Sequence, residues 1–396
     1  MVRIAQLIYA HASAPQVITA LKASSNLEWP TPGAQEALNI ILCHSDRFPL
    51  STRYVRSLLK CIENTCETLE DCLMERVLSS VCMASDGGDE DDEAYFSYYL
   101  PVSIQLTSPA FSSKHEDPQK YEMVPLRVQR THNQVGLRVW EAGLFLAEVC
   151  LAMPSGLFAD KSILELGAGI GLTGILLARG LGEQHAPKNV VLTDWAEVVL
   201  ENIRHNVNVN FGVTEDASVS SSRVEVKQLD WRAMTSMLDA APLGLIDVTL
   251  IADCTYSEEI IDPLLGTVTH IAEFWHHQQR SPSACPEADS RLTAARCVNS
   301  ALDDALIPES IVKQNIDDDI QDSDLLCHLQ RTHGHLTLLA CTHRSDETFA
   351  YLQKALNHLN MTCRDLTPWA QRIIANGNQM LPYANRERIH LYCLHM

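Results

Sequence analysis

The chain has 396 residues and is 46% hydrophobic, long and apolar enough to bury a sizeable core. Its formal charge of −20 excludes a broad basic surface for nucleic acid. The acid is concentrated: residues 86–93 carry six acids and no base, residues 281–327 carry ten acids against three bases, and the two stretches hold 13 of the 20 excess charges.

In chain order, residues 1–95 read as a helical region. "MVRIAQLIYAHASA" imitates a signal peptide, but its short apolar run is broken by Gln6, which favours a helix. In "STRYVRSLLKCIENTCETL", Val55, Leu58, Leu59, Ile62 and Cys66 share one helical face. Thr68 precedes Asp71 at the spacing of a capping box for the next helix. The acidic run at 86–93 reads as a solvated loop. Residues 96–133 form a β-containing connector, with "YYLPVSIQLTS" and "VPLRVQRT" able to pair as strands.

From 134 to 396 strand and helix patterns alternate, which predicts an α/β open sheet. Strands are expected at 162–166, 189–194, 224–230, 246–253, 335–343, 361–367 and 388–396, seven in all. Only a long loop is expected between the last two, which should pair antiparallel at one edge. Residues 281–324 are polar and Pro/Ser/Asp-rich, and read as a disordered insert at a surface loop.

The loop after the first of these strands, "ILELGAGIGLTGILLARG", holds two overlapping patterns. E-x-G-x-G-x-G from Glu165 suits S-adenosylmethionine, and G-x-G-x-x-G from Gly169 suits a dinucleotide. In both, small residues let the backbone turn close to the ligand beside a helix N-terminus. Glu165 suits a cationic ammonium and sulfonium and is a poor neighbour for a pyrophosphate. Asp194, ending the second strand, suits ribose hydroxyls in either case, or a helix cap. "LDW" puts Asp230 and Trp231 after the third strand, where Trp231 can stack on adenine and Asp230 can meet its amine. "ADCTY" puts Ala252, Asp253 and Tyr256 after the fourth. There is no Y-x-x-x-K, the partner motif of one large dehydrogenase group. Ligands of open α/β sheets bind at these carboxyl ends.

"VWEAGLFLAEV", "ILELGAGIGLTG", "LTD", "LDW" and "IADCTYSEE" occur in an order that resembles the seven-stranded protein lysine methyltransferases of methyltransferase family 16. The hallmark of that family is D-x-x-Y, here Asp253 to Tyr256. The resemblance implies a Rossmann-like S-adenosylmethionine-dependent sheet preceded by a helical region. It implies cofactor contacts at Trp140, Gly167, Ala168, Gly169, Asp194, Trp231 and Ala252, and a methyl-transfer site at Asp253 and Tyr256. The family often has an aliphatic residue where this chain has Cys254. The similarity of the N-terminal region and of "QLDW" implies translation elongation factor 2 as the protein substrate, with no direct nucleic-acid or membrane partner and a monomeric state. Nucleobase and glutamine methylating enzymes usually carry Asn- or Asp-Pro-Pro-Tyr in this slot, and "DCTY" argues for a protein lysine instead. A methyltransferase for another protein, a nucleic acid or a small molecule stays open, as does a catalytically idle methyltransferase-like binding module.

Thirteen cysteines without C-x-x-C read as reduced thiols, and "CTHR" and "THGH" lack paired ligand spacing, so no metal site is expected. No apolar run reaches ~18 uncharged residues, so no membrane span is expected. Cytoplasmic localisation follows as the default.

Overall fold

A computed structural model describes residues 2–25, 27–43, 48–82, 93–101, 121–129, 135–153, 157–180, 186–212, 223–280, 334–359, 361–375 and 381–396. The expected acidic insert, and the acidic run before Glu93, lie outside the described residues.

Among the described residues, five helices come first: α1 (Val2–Tyr9), α2 (Ala14–Ala23), α3 (Pro32–Cys43), α4 (Thr52–Glu63) and α5 (Asp71–Cys82). They enclose a core that includes Ile8, Leu21, Leu38, Leu58, Leu59 and Ile62. Ser51 caps α4 by accepting from the Tyr54 N–H at 3.2 Å. The helix buries Tyr54, Leu58, Leu59 and Ile62 and ends at Glu63, so Cys66 falls beyond its face. Thr68 does not cap α5, which starts at Asp71. The buried Gln35 amide holds this junction instead, accepting from the Glu70 N–H at 2.9 Å and donating to the Thr68 carbonyl at 3.1 Å.

β1 (Glu93–Pro101) and β2 (Tyr121–Gln129) form an antiparallel pair, with β1 starting before the expected connector. Successive strand residues point to opposite faces. Tyr98 and Leu100 therefore enter the main core, while Tyr99 turns to the helical core, its ring 6.0 Å from that of Tyr9.

The main sheet comprises β3 (Ser162–Leu166), β4 (Asn189–Asp194), β5 (Val224–Gln228), β6 (Val248–Ala252), β7 (Leu336–Thr342), β8 (Thr362–Asp365) and β9 (Ile389–His395), in the order β5-β4-β3-β6-β7-β9-β8. β3 to β7 pair in parallel, and β9 runs antiparallel between β7 and β8. The helices are α6 (Glu141–Ala152), α7 (Leu172–Gly180), α8 (Glu197–Phe211), α9 (Glu258–Arg280), α10 (Asp346–His358) and α11 (Thr367–Ala375). Alternation along the strands sorts them into two layers. Ile163, Val190, Leu250 and Leu338 face α6, α7, α8 and α11. Leu164, Val191, Ile251 and Leu339 face α9 and α10. This is the α/β S-adenosylmethionine-dependent methyltransferase fold.

α11 corrects the expected loop between the last two strands. Pro368 sits in its first turn, where a missing N–H costs nothing. It buries Trp369, Ala370 and Ile374, a pattern too sparse to announce a helical period. The Thr367 hydroxyl also accepts from the Leu391 N–H at 3.0 Å, tying the helix to β9.

α8 carries asparagines at 202, 206 and 210, four residues apart and hence on one face. That face closes the free edge of β2. Asn206 accepts from the Arg127 N–H at 2.7 Å, and Asn202 and Asn206 donate to the Arg127 carbonyl. Asn210 donates to the Pro125 carbonyl at 2.8 Å. No described helix is long and apolar enough to cross a membrane.

Candidate active site

The chain passes from β3 outward to β4 and β5, then returns to place β6 on the other side of β3. Such a reversal opens a crevice at the carboxyl ends of the strands. A cavity of about 270 Å³ lies there. Every residue expected at the site lines it: Trp140, Glu165, Gly167, Ala168, Gly169, Asp194, Asp230, Trp231, Ala252, Asp253 and Tyr256.

The floor is the turn between β3 and α7. Gly167, Gly169 and Gly171 all have φ between +57° and +79°, a region open to glycine and strained for L side chains. A Cβ on Gly167 would also stand 2.5 Å from the Cys254 Sγ and 3.1 Å from the Trp231 ring. Gly174 has a different task. It is inside α7, and a Cβ there would meet Leu192 at 2.4 Å and the Glu165 carboxylate at 2.8 Å. The third glycine of the dinucleotide pattern is thus a packing contact between helix and sheet.

Glu165 is buried, 2% exposed, and accepts from the Gly174 N–H at 2.8 Å. Burial pushes its carboxyl up to about 7, against the pull of that N–H and of Thr173. Asp194 holds the other side of the turn. One oxygen accepts from the Gly169 N–H at 3.3 Å, and the other from the N–H groups of Trp195 and Ala196. Burial raises its carboxyl, and these three donors draw it back. Asp194 therefore braces both the glycine turn and the start of α8.

Asp230 is exposed and accepts from the Arg232 N–H at 3.0 Å, which caps the short turn beginning at Trp231. That turn presents the Trp231 ring edge to Gly167 while the rest of the ring packs on the α9 layer. Trp140 is the N-cap residue of α6, with its indole N–H donated to the Val135 carbonyl at 2.9 Å.

Asp253 has φ +58° and is 7% exposed. A non-glycine residue in this region is a strained feature of the kind that gathers at functional sites. The conformation turns its carboxylate to β7, not onto α9 as a helix cap. It accepts from the Thr342 N–H and hydroxyl, both at 3.1 Å, and from the guanidinium of Arg344 at 2.6 and 2.7 Å. Tyr256, 55% exposed, stands at the mouth. Burial of its inner part raises the phenol above its usual range, with Cys254 and Asp194 adding to the rise.

Reading the sequence missed Arg344, Trp195 and the Val135–Leu137 turn, whose Val135 and Gly136 also line the cavity. Arg344 follows β7 in "CTHR", where the histidines draw attention to metal binding. Trp195 adjoins Asp194, and its 65% exposure is the signal that singles it out.

A family model described as lysine methyltransferase matches residues 122–277. The chain is 33% identical over 169 residues to the human protein-lysine N-methyltransferase EEF2KMT, which covers 39% of this chain and 49% of that protein. It is 29% identical over 233 residues to protein-lysine N-methyltransferase EFM3 of Chaetomium thermophilum, covering 56% and 64%. It is 32% identical over 170 residues to protein N-lysine methyltransferase METTL21A of Danio rerio, covering 41% and 70%. The chain spans about half the length of the human curated relatives it matches. The matched stretch runs from β2 to α9 and so carries the glycine turn, Asp194, Trp231 and the Asp253–Tyr256 strand end; the chain belongs to the lysine methyltransferase family.

Proposed function

We propose that the chain is an S-adenosylmethionine-dependent protein lysine N-methyltransferase and that translation elongation factor 2 is its substrate. The observation that carries the reading is the convergence of the glycine turn, Asp194, Trp231, Asp253 and Tyr256 on one cavity at the reversal of the sheet.

The residues fit the cofactor. The glycine turn brings backbone to the cavity where a Cβ on Gly167 would collide, and the carboxylates of Glu165 and Asp194 lie beside it. Gly167, Ala168, Gly169 and Glu165 would hold the amino-acid end, Asp194 the ribose, Asp230 and Trp231 the adenine, with Trp140 and Ala252 as walls. When bound, S-adenosylmethionine supplies a methyl carbon whose bond to sulfur breaks with its electron pair left on sulfur. The chain's own task is to place a lysine nitrogen with a free lone pair in line with that carbon and to keep water out. Asp253 and Tyr256 form the wall on that side, and the Tyr256 ring can lie against the lysine stem. Lysine is protonated at neutral pH, with an ordinary pKa of about 10.4, so the proton must leave to solvent before attack.

The substrate assignment rests on the helical region before the hairpin and on likeness to relatives named as lysine methyltransferases. The test incubates the chain with labelled S-adenosylmethionine and eukaryotic lysate, with and without RNase, followed by mass spectrometry. Methyl-lysine in elongation factor 2 is expected. Label that disappears with RNase would remove the protein substrate, and no calorimetric binding of S-adenosylmethionine would remove the enzyme.

A further inference from the structure

The partner of Asp253 is the unexpected part of the site. A carboxylate at a methyl-transfer site could meet the cation of a substrate lysine, yet a cation of this chain already holds Asp253. Arg344 donates from Nη1 to Oδ1 at 2.7 Å and from Nη2 to Oδ2 at 2.6 Å, the two-pronged geometry that suits guanidinium and carboxylate. Its Cζ lies 5.1 Å from the centre of the Trp140 ring. The backbone N–H and hydroxyl of Thr342 take the remaining sites on the carboxylate. The Asp253 side chain is 3% exposed, whereas that of Arg344 is 40% exposed and lines the cavity.

Arriving lysine therefore meets a compensated carboxylate and an exposed guanidinium, not an open anion. We propose that Arg344 is a positioning residue that keeps Asp253 charge-paired, so that the methyl-transfer site takes up the lysine amine as its neutral base. The inference rests on the lysine methyltransferase reading and refines it. An ammonium would stand beside a like charge with no free carboxylate to offset it, whereas the neutral amine carries the lone pair that forms the new nitrogen–carbon bond. Its proton goes to bulk water at the open mouth beside Tyr256.

The surrounding charges agree. Glu141, opening α6, also attracts Arg344. Cys341 on β7 and Cys254 after β6 are buried thiols pushed up and held neutral, Cys341 to about 12. Arg138 and Arg232 also line the cavity and add positive charge. The remaining lining carboxylates have partners of their own: Asp194 and Glu165 accept from the backbone around the glycine turn, and Asp230 accepts from the Arg232 N–H.

The test uses the full chain saturated with S-adenosylhomocysteine and n-butylamine as the lysine side-chain probe. Calorimetry in buffers of different ionisation enthalpy counts the protons released on binding. At pH 7.5 the wild type is expected to release about one proton per amine bound, and its apparent Kd should fall at least tenfold by pH 9.5. Arg344→Met frees Asp253. It should bind the amine about tenfold more tightly at pH 7.5 with no proton release, and Arg344→Lys should behave like the wild type. In the lysate assay, the acid limb of the rate profile of Arg344→Met should move up by about one pH unit, with the rate recovering at pH 9.5. Wild-type binding without proton release, or no amine binding at pH 9.5, overturns the inference even if Arg344→Met does not fold. A rate loss in Arg344→Met that is equal at every pH overturns it too. Failure of the underlying reading shows separately, as an absence of methyl-lysine in the lysate.

Discussion

At the residue scale, Asp194 and Asp253 line one cavity with different partners, and their removal should separate two functions. Asp194→Ala takes away the carboxylate that braces the glycine turn, and is expected to weaken S-adenosylmethionine binding by ten- to a hundredfold, the range of about 1.5–3 kcal/mol for a charged hydrogen bond. Asp253→Ala leaves that turn intact and should lower turnover while calorimetric affinity for the cofactor is retained. Equal loss of affinity in both would contradict the division. Glu165 makes a prediction about pH. Its folded carboxyl titrates near 7, above the ordinary 4.5, so the folded state keeps a proton that the unfolded chain releases. Stability from this group is present in full below the unfolded value and is lost as pH rises towards 7. Glu165→Gln keeps the acceptor for Gly174 without the titration. Relative to wild type, the unliganded variant should gain about 2–3 kcal/mol between pH 5 and pH 8 in urea unfolding. A flat difference across that range would show that Glu165 does not titrate there. Such residues were legible because each lies at or next to the carboxyl end of a strand in the sequence. Arg344 was not, because it reaches Asp253 from 91 positions later and only the adjacency of β6 and β7 brings them together.

At the scale of elements, the strands were legible from short apolar runs and α4 from its periodicity, whereas α11 was not. A helix that buries three apolar side chains against α6 and β9 needs only a few apolar residues, and its remaining stability comes from tertiary contacts that no local pattern displays. The asparagine face of α8 was hidden for a different reason. Its residues bond to backbone groups of another element, and polar residues on a helix ordinarily mark a solvated side. Asn206 serves three backbone groups, the Arg127 N–H, the Arg127 carbonyl and the Ile170 carbonyl. Asn206→Ala leaves buried groups without partners and is expected to cost about 3 kcal/mol in urea unfolding. Arg204→Ala, two residues away in an exposed ion pair with Glu197, should change stability by less than about 0.5 kcal/mol. Similar losses for the two would argue against a supporting role for the asparagine.

At the scale of the whole molecule, the β1–β2 pair is a wall with a core on each side. Tyr98, Leu100, Val124 and Leu126 belong to the apolar cluster of the sheet, and Ala10 from the N-terminal region joins them. Tyr99 packs on the cluster of the five helices. Neither core can open without uncovering a face of the same two strands. A single calorimetric unfolding transition is expected, monitored also by tryptophan fluorescence; two separated transitions would mean that the wall does not couple the cores.

The asparagine face holds the hairpin mostly by its peptide groups, with one side-chain bond, from Arg127 Nε to Asn202 Oδ1 at 2.8 Å. Pro125 and Arg127 are held through their carbonyls, and Arg127 through its N–H as well. Most substitutions along β2 leave those groups in place. Apart from Arg127, the seat is therefore indifferent to much of the sequence placed on it. Exchange of this N-terminal region between relatives should succeed wherever the three asparagines and Arg127 are kept, whatever other side chains the incoming strand carries outward.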